Sequence, residues 1–460
     1  MDRKEVGGLR QLPPSSNYFC QLFFGGVVRV SITTLGCKSN QYDSSAIEDI
    51  LKQNNFEIVD SSEKADVCIV NTCTVTGKTD YQSRQLIRRA VTANPAAVVL
   101  VTGCYAQVSP QDAAGIKGVD YVLGNPEKEK ILEYIIAGKK GSPKVEIGEA
   151  GKERPLRLRA SGSSGRTRAY LKIQDGCNNS CSYCIIPRAR GVSGSLPVSA
   201  VLHEIEEFIA NGYREIILTG IHLGTYGSDL NPENDIAGLV RAIDKKNYQC
   251  RFRISSLDPD EVSDELIEIM ADSKVICNHL HLPLQSGDDN ILKRMNRRYT
   301  GRVVAERIEK IAASIPDVSI GADVIVGFPG EGEREFLNTY NMLKGLPVSY
   351  MHIFPFSKRK GTAATEFSGQ VDERLVKQRC EMLKTLDDAK RKKFCECSLG
   401  KVSHVLIESS RDRATGFLSG RSRNYIPFLV NSSSNPGNTE TEVMGSEIKG
   451  NRIIGYAINQ

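Results

Sequence analysis

The chain has 460 residues, of which 40% are hydrophobic and 25% charged, and this composition is typical of a folded globular protein rather than a disordered one. The length exceeds that of one ordinary domain, so we expect two or three compact units. The formal net charge of +5 does not by itself indicate a nucleic-acid partner. No apolar run is long enough to span a bilayer or to form a secretory signal, which predicts a cytoplasmic protein without membrane association.

The first folded segment, residues 27–138, alternates β-branched runs with amphipathic stretches. Strands are predicted at residues 28–34, 66–70 and 97–101, and helices at 44–54 and 81–93. This alternation predicts a parallel sheet with covering helices. Residues 1–26 are predicted to be a disordered extension. Residues 139–162, which are rich in Gly, Ser, Lys and Arg, are predicted to be an interdomain linker.

A second series of alternating strands and helices fills residues 163–394. Strands are predicted at residues 169–173, 215–219, 251–255, 279–282, 322–326 and 350–354. Six such units predict an open (βα)6 barrel, with functional side chains at the carboxyl ends of the strands. A charged amphipathic helix is predicted over residues 372–395. Residues 395–460 then show short β-prone runs broken by Gly, Asn and Ser, which predict a small all-β barrel.

The strongest motif is a set of three cysteines, Cys177, Cys181 and Cys184, in the spacing C-x3-C-x2-C after the first strand of the second series. Without a secretion signal the thirteen cysteines should stay reduced, and they are then available as metal ligands. Three thiolates would hold three irons of a 4Fe–4S cluster and leave the fourth iron open. A structural zinc site would need a fourth ligand, and neither His203 nor His222 is placed in the sequence to complete it.

A second set of cysteines follows the predicted strands of the first segment. Cys37, Cys73 and Cys104 each come at the end of one strand. Because the carboxyl ends of parallel strands meet at one crevice, we expect these three thiols to face each other and to hold a second cluster. Three unrelated packing cysteines are the alternative interpretation.

Taken together, these motifs resemble a known family. The spacing of Cys177, Cys181 and Cys184 after the first strand of a βα series resembles the radical S-adenosylmethionine (SAM) superfamily. The stretch Gly176-Cys-Asn-Asn-x-Cys-x-Tyr-Cys-Ile-Ile-Pro-x-Ala-Arg-Gly191, together with the strand-end cysteines, resembles the methylthiotransferases. Residues 34–42 (TLGCKSNQY) and 71–76 (NTCTVT) resemble the subgroup that acts on threonylcarbamoyladenosine in transfer RNA. The C-terminal segment resembles the TRAM domain, a small RNA-binding β-barrel.

The resemblance implies an α/β fold in three parts: an N-terminal parallel α/β methylthiotransferase domain (27–138), a central partial (βα)6 radical SAM barrel (163–394) and a C-terminal OB-like TRAM barrel (395–460). It implies two 4Fe–4S clusters, with S-adenosylmethionine as both radical source and methyl donor. A 5′-deoxyadenosyl radical would take hydrogen from carbon 2 of the adenine next to the anticodon, and the cluster on Cys37, Cys73 and Cys104 would deliver the methylated sulfur. The implied partners are the tRNA anticodon stem–loop and an electron donor such as a flavodoxin or ferredoxin.

Further site residues follow from the resemblance and from position at strand ends. Cofactor contacts are expected at Tyr183, Thr219, Gly220, Arg253, Ser255, Gln285 and Asp323, for which barrel packing is the alternative. RNA contacts are expected at basic and aromatic residues, namely Arg188, Arg190, Lys390, Arg391, Lys392, Lys393, Arg421, Arg423 and Tyr425, because loops of RNA are held by phosphate neutralisation and base stacking. A solvated helix face is the alternative interpretation of such a charge run.

Two features of the sequence depart from the family pattern. Residues 192–195 lack the arginine expected after Gly191, and residues 432–441, at the tip of the C-terminal barrel, carry little charge. Four other functions remain open at this point: a methylthiotransferase acting on a ribosomal-protein aspartate, one acting on isopentenyladenosine in tRNA, a cobalamin-using radical enzyme, and a non-catalytic iron–sulfur RNA-binding protein. The strand-end cysteines argue against the cobalamin enzyme, because corrin binding would not need thiolates there.

Overall fold

The computed structural model describes residues 26–150, 158–162, 167–230, 235–432 and 437–458. The predicted extension over residues 1–26 lies outside this range except for its last residue. The chain divides into two compact units, one formed by residues 26–150 and 158–162 and the other by residues 167–458. Within these described ranges, no helix combines the length and the apolar character needed to cross a membrane.

The N-terminal unit is built on one parallel sheet of six strands. The strands are β1 (Arg29–Thr34), β2 (Glu57–Val59), β3 (Val67–Thr72), β4 (Val98–Gly103), β5 (Tyr121–Leu123) and β6 (Lys144–Glu146). Their order across the sheet is β2-β1-β3-β4-β5-β6, and every pair is parallel. The helices are α1 (Lys38–Gln53), α2 (Gly77–Ala93), α3 (Cys104–Val108), α4 (Pro110–Ala114) and α5 (Ile131–Ile136), with a 3-10 turn at Pro126–Lys130.

The central strands of this sheet are buried on both faces. Along β3, Val67 and Ile69 pack into one core while Cys68 and Val70 pack into the other. β-branched runs without polar alternation are typical of a parallel strand covered by helices on both sides, and the predicted parallel sheet is confirmed. The short edge strand β6 lies within the segment predicted as a linker, so part of that segment instead extends the sheet beside β5.

The second unit begins with an open barrel of parallel strands. Its strands are β7 (Arg168–Lys172), β10 (Glu215–Thr219), β11 (Arg251–Ile254), β12 (His279–Gln285), β13 (Ser319–Val326) and β14 (Tyr350–Pro355), and a small hairpin is formed by β8 (Gln174–Asp175) and β9 (Gly194–Ser195). Two three-stranded sheets, β7-β10-β11 and β12-β13-β14, are joined by bridges from Phe252 to Ile276 and from Ser256 to His281. The predicted partial (βα)6 barrel is therefore confirmed.

Helices that connect successive strands cover the outside of this barrel with their apolar faces. They are α6 (Ile186–Arg190), α7 (Val198–Ala210), α8 (Ile236–Lys246), α9 (Asp264–Asp272), α10 (Asp289–Arg294), α11 (Gly301–Ser314) and α12 (Glu333–Gly345), with 3-10 turns at Leu223–Thr225, Pro259–Glu261 and Ala363–Thr365. The long helix α13 (Glu373–Glu396) leads out of the barrel.

The chain ends in the small all-β barrel that the sequence predicts. Five strands close on themselves in the order β15-β16-β17-β19-β18, and they are β15 (Val402–Arg411), β16 (Leu418–Ser422), β17 (Pro427–Asn431), β18 (Thr439–Lys449) and β19 (Arg452–Ala457). The predicted domain boundaries after residues 138, 162 and 394 stay predictions.

The closed barrel packs on the amino-terminal end of the open barrel, within the same compact unit. Asn438 Nδ2 donates to Gly212 O (2.7 Å) and Asn424 Nδ2 donates to Asp317 O (3.2 Å). Arg423 donates to the carbonyl of Lys274. Because these three acceptors precede β10, β13 and β12, the closed barrel covers the end opposite to the strands' carboxyl ends.

Candidate functional site

The loop Cys177–Cys184 lies at the carboxyl end of the open barrel, between the hairpin strand β8 and helix α6. Gly176, before the first cysteine, has φ +74°, and a Cβ at this position would overlap the carbonyl of Val192. The amide of Cys177 donates to Gly191 O (3.0 Å), and that of Cys184 donates to Cys181 O (3.0 Å). These bonds close the loop tightly, so that the three thiols are held by backbone geometry.

The spacing of the sulfurs argues against a single metal ion. Two groups of ligating side chains in the described part of the chain have all ligand atoms within 4.8 Å of one another, and neither contains a cysteine. Sulfurs on one zinc ion would all lie within that distance, because the Zn–S bond is about 2.3 Å. Burial raises the pKa of Cys184 to about 12, with the thiols of Cys181 and Cys177 adding to the rise. Three adjacent reduced thiols at wider spacing suit a 4Fe–4S cluster, whose irons accept thiolate ligands.

Two cationic side chains that sequence reasoning missed contact this loop. Arg297 Nη1 lies 3.4 Å from Cys181 Sγ, and its Nε donates to Tyr299 Oη (2.8 Å) while Nη2 pairs with Asp258. His222 Nδ1 lies 3.8 Å from Cys177 Sγ. The sequence places His222 at a strand end without a role at the motif, and the structure brings its ring next to Cys177.

Carboxylates fix the ring of His222 from the other side. Its Nε2 lies 2.7 Å from Glu261 and 3.6 Å from Asp258. Burial alone would lower the pKa of His222, but Asp258, Cys177 and Glu261 outweigh it and raise the pKa to about 12. Arg297 and His222 therefore place positive charge beside the sulfurs of two cysteines, an arrangement that stabilises thiolates.

Gln174 organises the two loops that flank the cysteines. Its Oε1 accepts hydrogen bonds from the amides of Ile221 (2.9 Å) and His222 (2.8 Å), and its Nε2 donates to Gly176 O (2.7 Å). A Cβ at Gly220 would lie 2.8 Å from Gln174 Oε1. The end of β10, where cofactor contacts at Thr219 and Gly220 are expected, is thus tied directly to the start of the cysteine loop.

The second cysteine set lies at the carboxyl edge of the N-terminal sheet. Cys37 precedes α1, Cys73 directly follows β3 and Cys104 directly follows β4, on three adjacent strands. Cys37 is exposed, whereas Cys73 and Cys104 are buried. Burial, with a contribution from the thiols of Cys104 and Cys37, raises the pKa of Cys73 to about 12.

The backbone around this set approaches the thiol of Cys73 closely and joins the ends of two strands. A Cβ at Gly36, which has φ +112°, would lie 2.8 Å from Cys73 Sγ. Asn40 Nδ2 donates to both Leu35 O (2.8 Å) and Thr72 O (2.9 Å), and so it joins the ends of β1 and β3. The set fits a cluster held by three thiolates, with one side open to solvent at Cys37.

Most of the predicted cofactor residues lie at the carboxyl ends of the barrel strands. Tyr183 packs edge-on against Phe328 (6.4 Å between ring centroids), Ser255 directly follows β11, and Gln285 ends β12 with φ +65°. Asp323 lies on β13 and accepts hydrogen bonds from two histidines. Their contacts with a cofactor stay predictions.

Arg253 is a correction, because its guanidinium is used inside the protein. It pairs with Glu215 through Nε (3.2 Å), and its Nη1 donates to Arg423 O (2.8 Å) in the closed barrel. The side chain therefore points to the amino-terminal end of the barrel and joins the two barrels, so we assign it no cofactor contact.

The predicted RNA contacts divide into two groups. Arg188, Lys392 and Lys393 are exposed and accessible to a phosphate backbone. Arg188 also donates to Lys360 O (3.3 Å). The others are less exposed and bond to the protein: Arg190 to Asp175 (2.8 Å), Lys390 to Leu346 O (2.7 Å), Arg391 to Asp387 (2.7 Å) and Arg423 to Glu440 (2.7 Å). Arg421 and Arg253 both stack on Tyr425, which inserts between the two barrels. For Arg190, Arg421, Arg423 and Tyr425 the RNA assignment is corrected to a structural role.

Comparison with known proteins agrees with both cysteine regions. The Radical SAM superfamily matches residues 171–343, and the uncharacterized protein family UPF0004 matches residues 29–124. The threonylcarbamoyladenosine tRNA methylthiotransferase MtaB of Bacillus subtilis (strain 168) is 42% identical over 391 residues, which cover 83% of this chain and 85% of that protein. The tRNA-2-methylthio-N(6)-dimethylallyladenosine synthase of Pelotomaculum thermopropionicum is 33% identical, and the match covers 85% of this chain and 89% of that protein.

Among solved structures, the radical S-adenosylmethionine methyltransferase TsrM of Kitasatospora setae, with cobalamin and a [4Fe-4S] cluster bound, has a TM-score of 0.52. The two proteins are 13% identical, and the match covers 74% of this chain and 77% of TsrM, which shows a shared fold alone. The two family matches cover both cysteine sets, and the 42% identity extends over most of both chains. The chain therefore belongs to the threonylcarbamoyladenosine tRNA methylthiotransferases of the radical SAM superfamily.

Proposed function

We propose that this protein transfers a methylthio group to carbon 2 of N6-threonylcarbamoyladenosine next to the anticodon of tRNA, giving 2-methylthio-N6-threonylcarbamoyladenosine. The observation that carries the proposal is the presence of two three-cysteine sites in one chain, each of which would leave one iron of a cluster open. Greater identity to the relative named for threonylcarbamoyladenosine than to the one named for dimethylallyladenosine supports this nucleoside.

The cysteines Cys177, Cys181 and Cys184 would hold the cluster that works with S-adenosylmethionine. When bound, cluster and cofactor supply a carbon radical that no protein side chain provides. The chain's own residues orient the ligands: Gln174 ties the cysteine loop to the end of β10, and Arg297 donates toward Cys181. Contacts with the cofactor are proposed at the strand-end residues Tyr183, Thr219, Gly220, Ser255, Gln285 and Asp323.

The cysteines Cys37, Cys73 and Cys104 would hold the second cluster, which would deliver the methylated sulfur. The burial of Cys73 and Cys104 excludes water from two ligands, while the exposed Cys37 leaves one side accessible. A second molecule of S-adenosylmethionine would serve as methyl donor. We further propose that Arg188, Lys392 and Lys393 contact the anticodon stem–loop, that a flavodoxin or ferredoxin donates electrons, and that the protein works in the cytoplasm.

The proposal is tested by nucleoside mass spectrometry of tRNA incubated with anaerobically reconstituted protein, dithionite and S-adenosylmethionine. We expect the mass increment of a methylthio group on threonylcarbamoyladenosine, and its loss in Cys177→Ala and in Cys73→Ala. Cys68→Ala is the matched control, because Cys68 is a packing residue in the middle of β3 and should keep activity.

Two results would contradict the proposal in different ways. If 5′-deoxyadenosine forms but no tRNA nucleoside gains mass, the radical chemistry is right and the substrate is wrong. If the increment instead appears on isopentenyladenosine or on a ribosomal-protein aspartate, the same machinery serves the alternative substrate. An absence of S-adenosylmethionine cleavage would favour a non-catalytic iron–sulfur protein.

A further inference from the structure

A row of three polar side chains crosses the inner face of the open barrel, separate from the cysteine loop. Asp323 Oδ1 on β13 lies 2.8 Å from His281 Nε2 on β12 and 3.1 Å from His352 Nδ1 on β14. The exposed fraction of the side chain rises along the row, from 8% for His281 to 23% for Asp323 and 51% for His352. The row thus runs from the protein interior to an accessible imidazole.

The row lies on the inner face of the barrel, because Ile325, two residues after Asp323 on β13, packs against the same apolar cluster as Tyr183 from the cysteine loop. Tyr350 lies two residues before His352 on β14, and so on the same face of the strand. Its hydroxyl lies 3.1 Å from His281 Nδ1 and 2.8 Å from His279 Nε2 on β12, two strands away. The ring reaches them by crossing β13 at Gly321, where a Cβ would overlap it.

The hydrogen bonds leave one ring nitrogen of the half-exposed His352 side chain available. Its Nδ1 is bonded to Asp323, and Nε2 makes no hydrogen bond with any residue that the structure describes. Burial alone would raise the pKa of Asp323, but the two histidines hold it well below its usual range. Because a carboxylate can only accept, Nδ1 of His352 donates to Asp323; this bond fixes the orientation of the ring and leaves Nε2 as the ring nitrogen available to a ligand.

We propose that His352 is a specificity-determining residue, which as an imidazolium donates from Nδ1 to Asp323 and from Nε2 to the carboxylate of the threonyl group on the substrate adenine. The inference rests on the proposed function. Among the candidate nucleosides, N6-threonylcarbamoyladenosine carries this carboxylate, whereas isopentenyladenosine carries a hydrocarbon. Charge-assisted hydrogen bonds to carboxylates are stronger than hydrogen bonds between neutral groups. The ring of Phe354, whose centroid lies 6.3 Å from that of His352, supplies apolar surface for the threonyl methyl group.

The test compares two anticodon stem–loop RNAs, one with N6-threonylcarbamoyladenosine and one in which the threonine carboxylate is replaced by the neutral carboxamide. Wild-type protein, reconstituted with its clusters, should bind the carboxamide RNA about tenfold more weakly or worse, as expected for loss of a hydrogen bond to a charged group. His352→Gln should bind both RNAs with similar affinity. His203→Gln is the matched control, because His203 is an exposed histidine on the outer helix α7 and should keep wild-type discrimination.

Three outcomes would overturn the inference. If His352→Gln keeps the preference for the carboxylate, another residue recognises that group while the proposed function stands. If the wild type does not distinguish threonylcarbamoyl RNA from unmodified RNA, the proposed function fails as well. His281, Asp323 and His352 also have ligand atoms within 4.8 Å of one another, so stoichiometric zinc in the wild type that is lost in His352→Gln would assign a cation site instead.

Discussion

At the scale of single residues, Gly36 determines how closely the chain approaches Cys73. With φ +112° it adopts a conformation that L side chains rarely take, and a methyl group there would lie 2.7 Å from Cys73 Cβ. We expect Gly36→Ala to push the thiols of the second set apart, at a strain cost of about 1–3 kcal/mol. After anaerobic reconstitution, the iron content should fall from that of two clusters to that of one.

Gly141→Ala is the control for this change. Gly141 lies in the same unit, does not require a positive φ, and has no heavy atom within 4 Å of an added Cβ. Its iron content should equal that of the wild type. Full iron content in Gly36→Ala would show that the backbone at this position does not shape the site.

The sequence predicts the roles of residues that depend on local spacing. It does not predict roles that depend on partners far away along the chain. The cysteine sets were found because strand ends and short spacings bring them together. Arg253 and Tyr425 were misassigned because their partners lie about 170 positions apart in the chain, and no local pattern reveals such a contact. Arg297 went unnoticed for the same reason, since Cys181 lies 116 positions away.

At the scale of elements, strands β10 and β11 are joined by a buried ion cluster. Glu215 on β10 pairs with Arg251 (2.5 Å) and Arg253 (3.2 Å) on β11, and all three side chains are almost completely buried. Burial alone would raise the pKa of Glu215, but Arg253 and Arg251 hold it at about 2. The cluster is therefore ionised throughout the neutral range.

We expect Glu215→Gln to lower the free energy of unfolding by about 3–5 kcal/mol, because it removes the buried counter-charge that Arg251 and Arg253 share and leaves Arg251 paired with Glu440. The pH dependence should change too. A depressed carboxyl pKa stabilises the fold above its ordinary value of 4.5, and this contribution is lost as the pH falls from there toward 2. Denaturant titrations at pH 7 and pH 3.5 should show a smaller acid loss in the variant than in the wild type.

Glu207→Gln serves as the control, since Glu207 is an exposed carboxylate on α7 whose ion pair within the described ranges is with the surface histidine His203. Surface pairs of this kind contribute about 0–1 kcal/mol. A difference of that size for Glu215→Gln would mean that the buried arginines find other partners.

Elements with strong periodicity or continuous β-branched runs were predicted, and short elements without them were not. The strands β3, β4 and β10 coincide with continuous β-branched runs in the sequence. The three-residue strands β5 and β6 form because they extend an existing sheet edge, which depends on tertiary pairing rather than on propensity. Helix α1 begins at Lys38, earlier than predicted, because Cys37 at the strand end is its N-cap.

At the scale of the whole molecule, the two barrels of the second unit share one polar core. Arg251 Nη1 bonds to Glu440 Oε1 (2.9 Å) and its Nη2 donates to Arg421 O (2.8 Å), both in the closed barrel. Tyr425, from the same barrel, stacks on His279 (4.5 Å between ring centroids) inside the open barrel. Removing either barrel would leave buried guanidinium donors without acceptors, so the pair should behave as one folding unit.

We therefore expect both barrels to unfold in a single transition. The chain has no tryptophan, so one introduced tryptophan reports on one site. Tyr456→Trp on β19 and Leu337→Trp on α12 both replace exposed side chains and should leave the fold intact. In thermal unfolding of the reconstituted protein, the two fluorescence midpoints should coincide, as they do when one cooperative unit melts.

Weakening the shared core should separate the two midpoints. Glu440→Gln removes the charged acceptor of Arg251 and Arg423, so the unfolding midpoint reported by Tyr456→Trp should fall by several degrees. The control is Glu447→Gln, which changes an exposed carboxylate on the same strand β18 and should alter neither midpoint. Two well-separated midpoints without Glu440→Gln would show that the closed barrel folds independently. In that case its contacts with the open barrel would be a docking interface rather than a common core, and Tyr425 would be accessible to RNA whenever the interface opens.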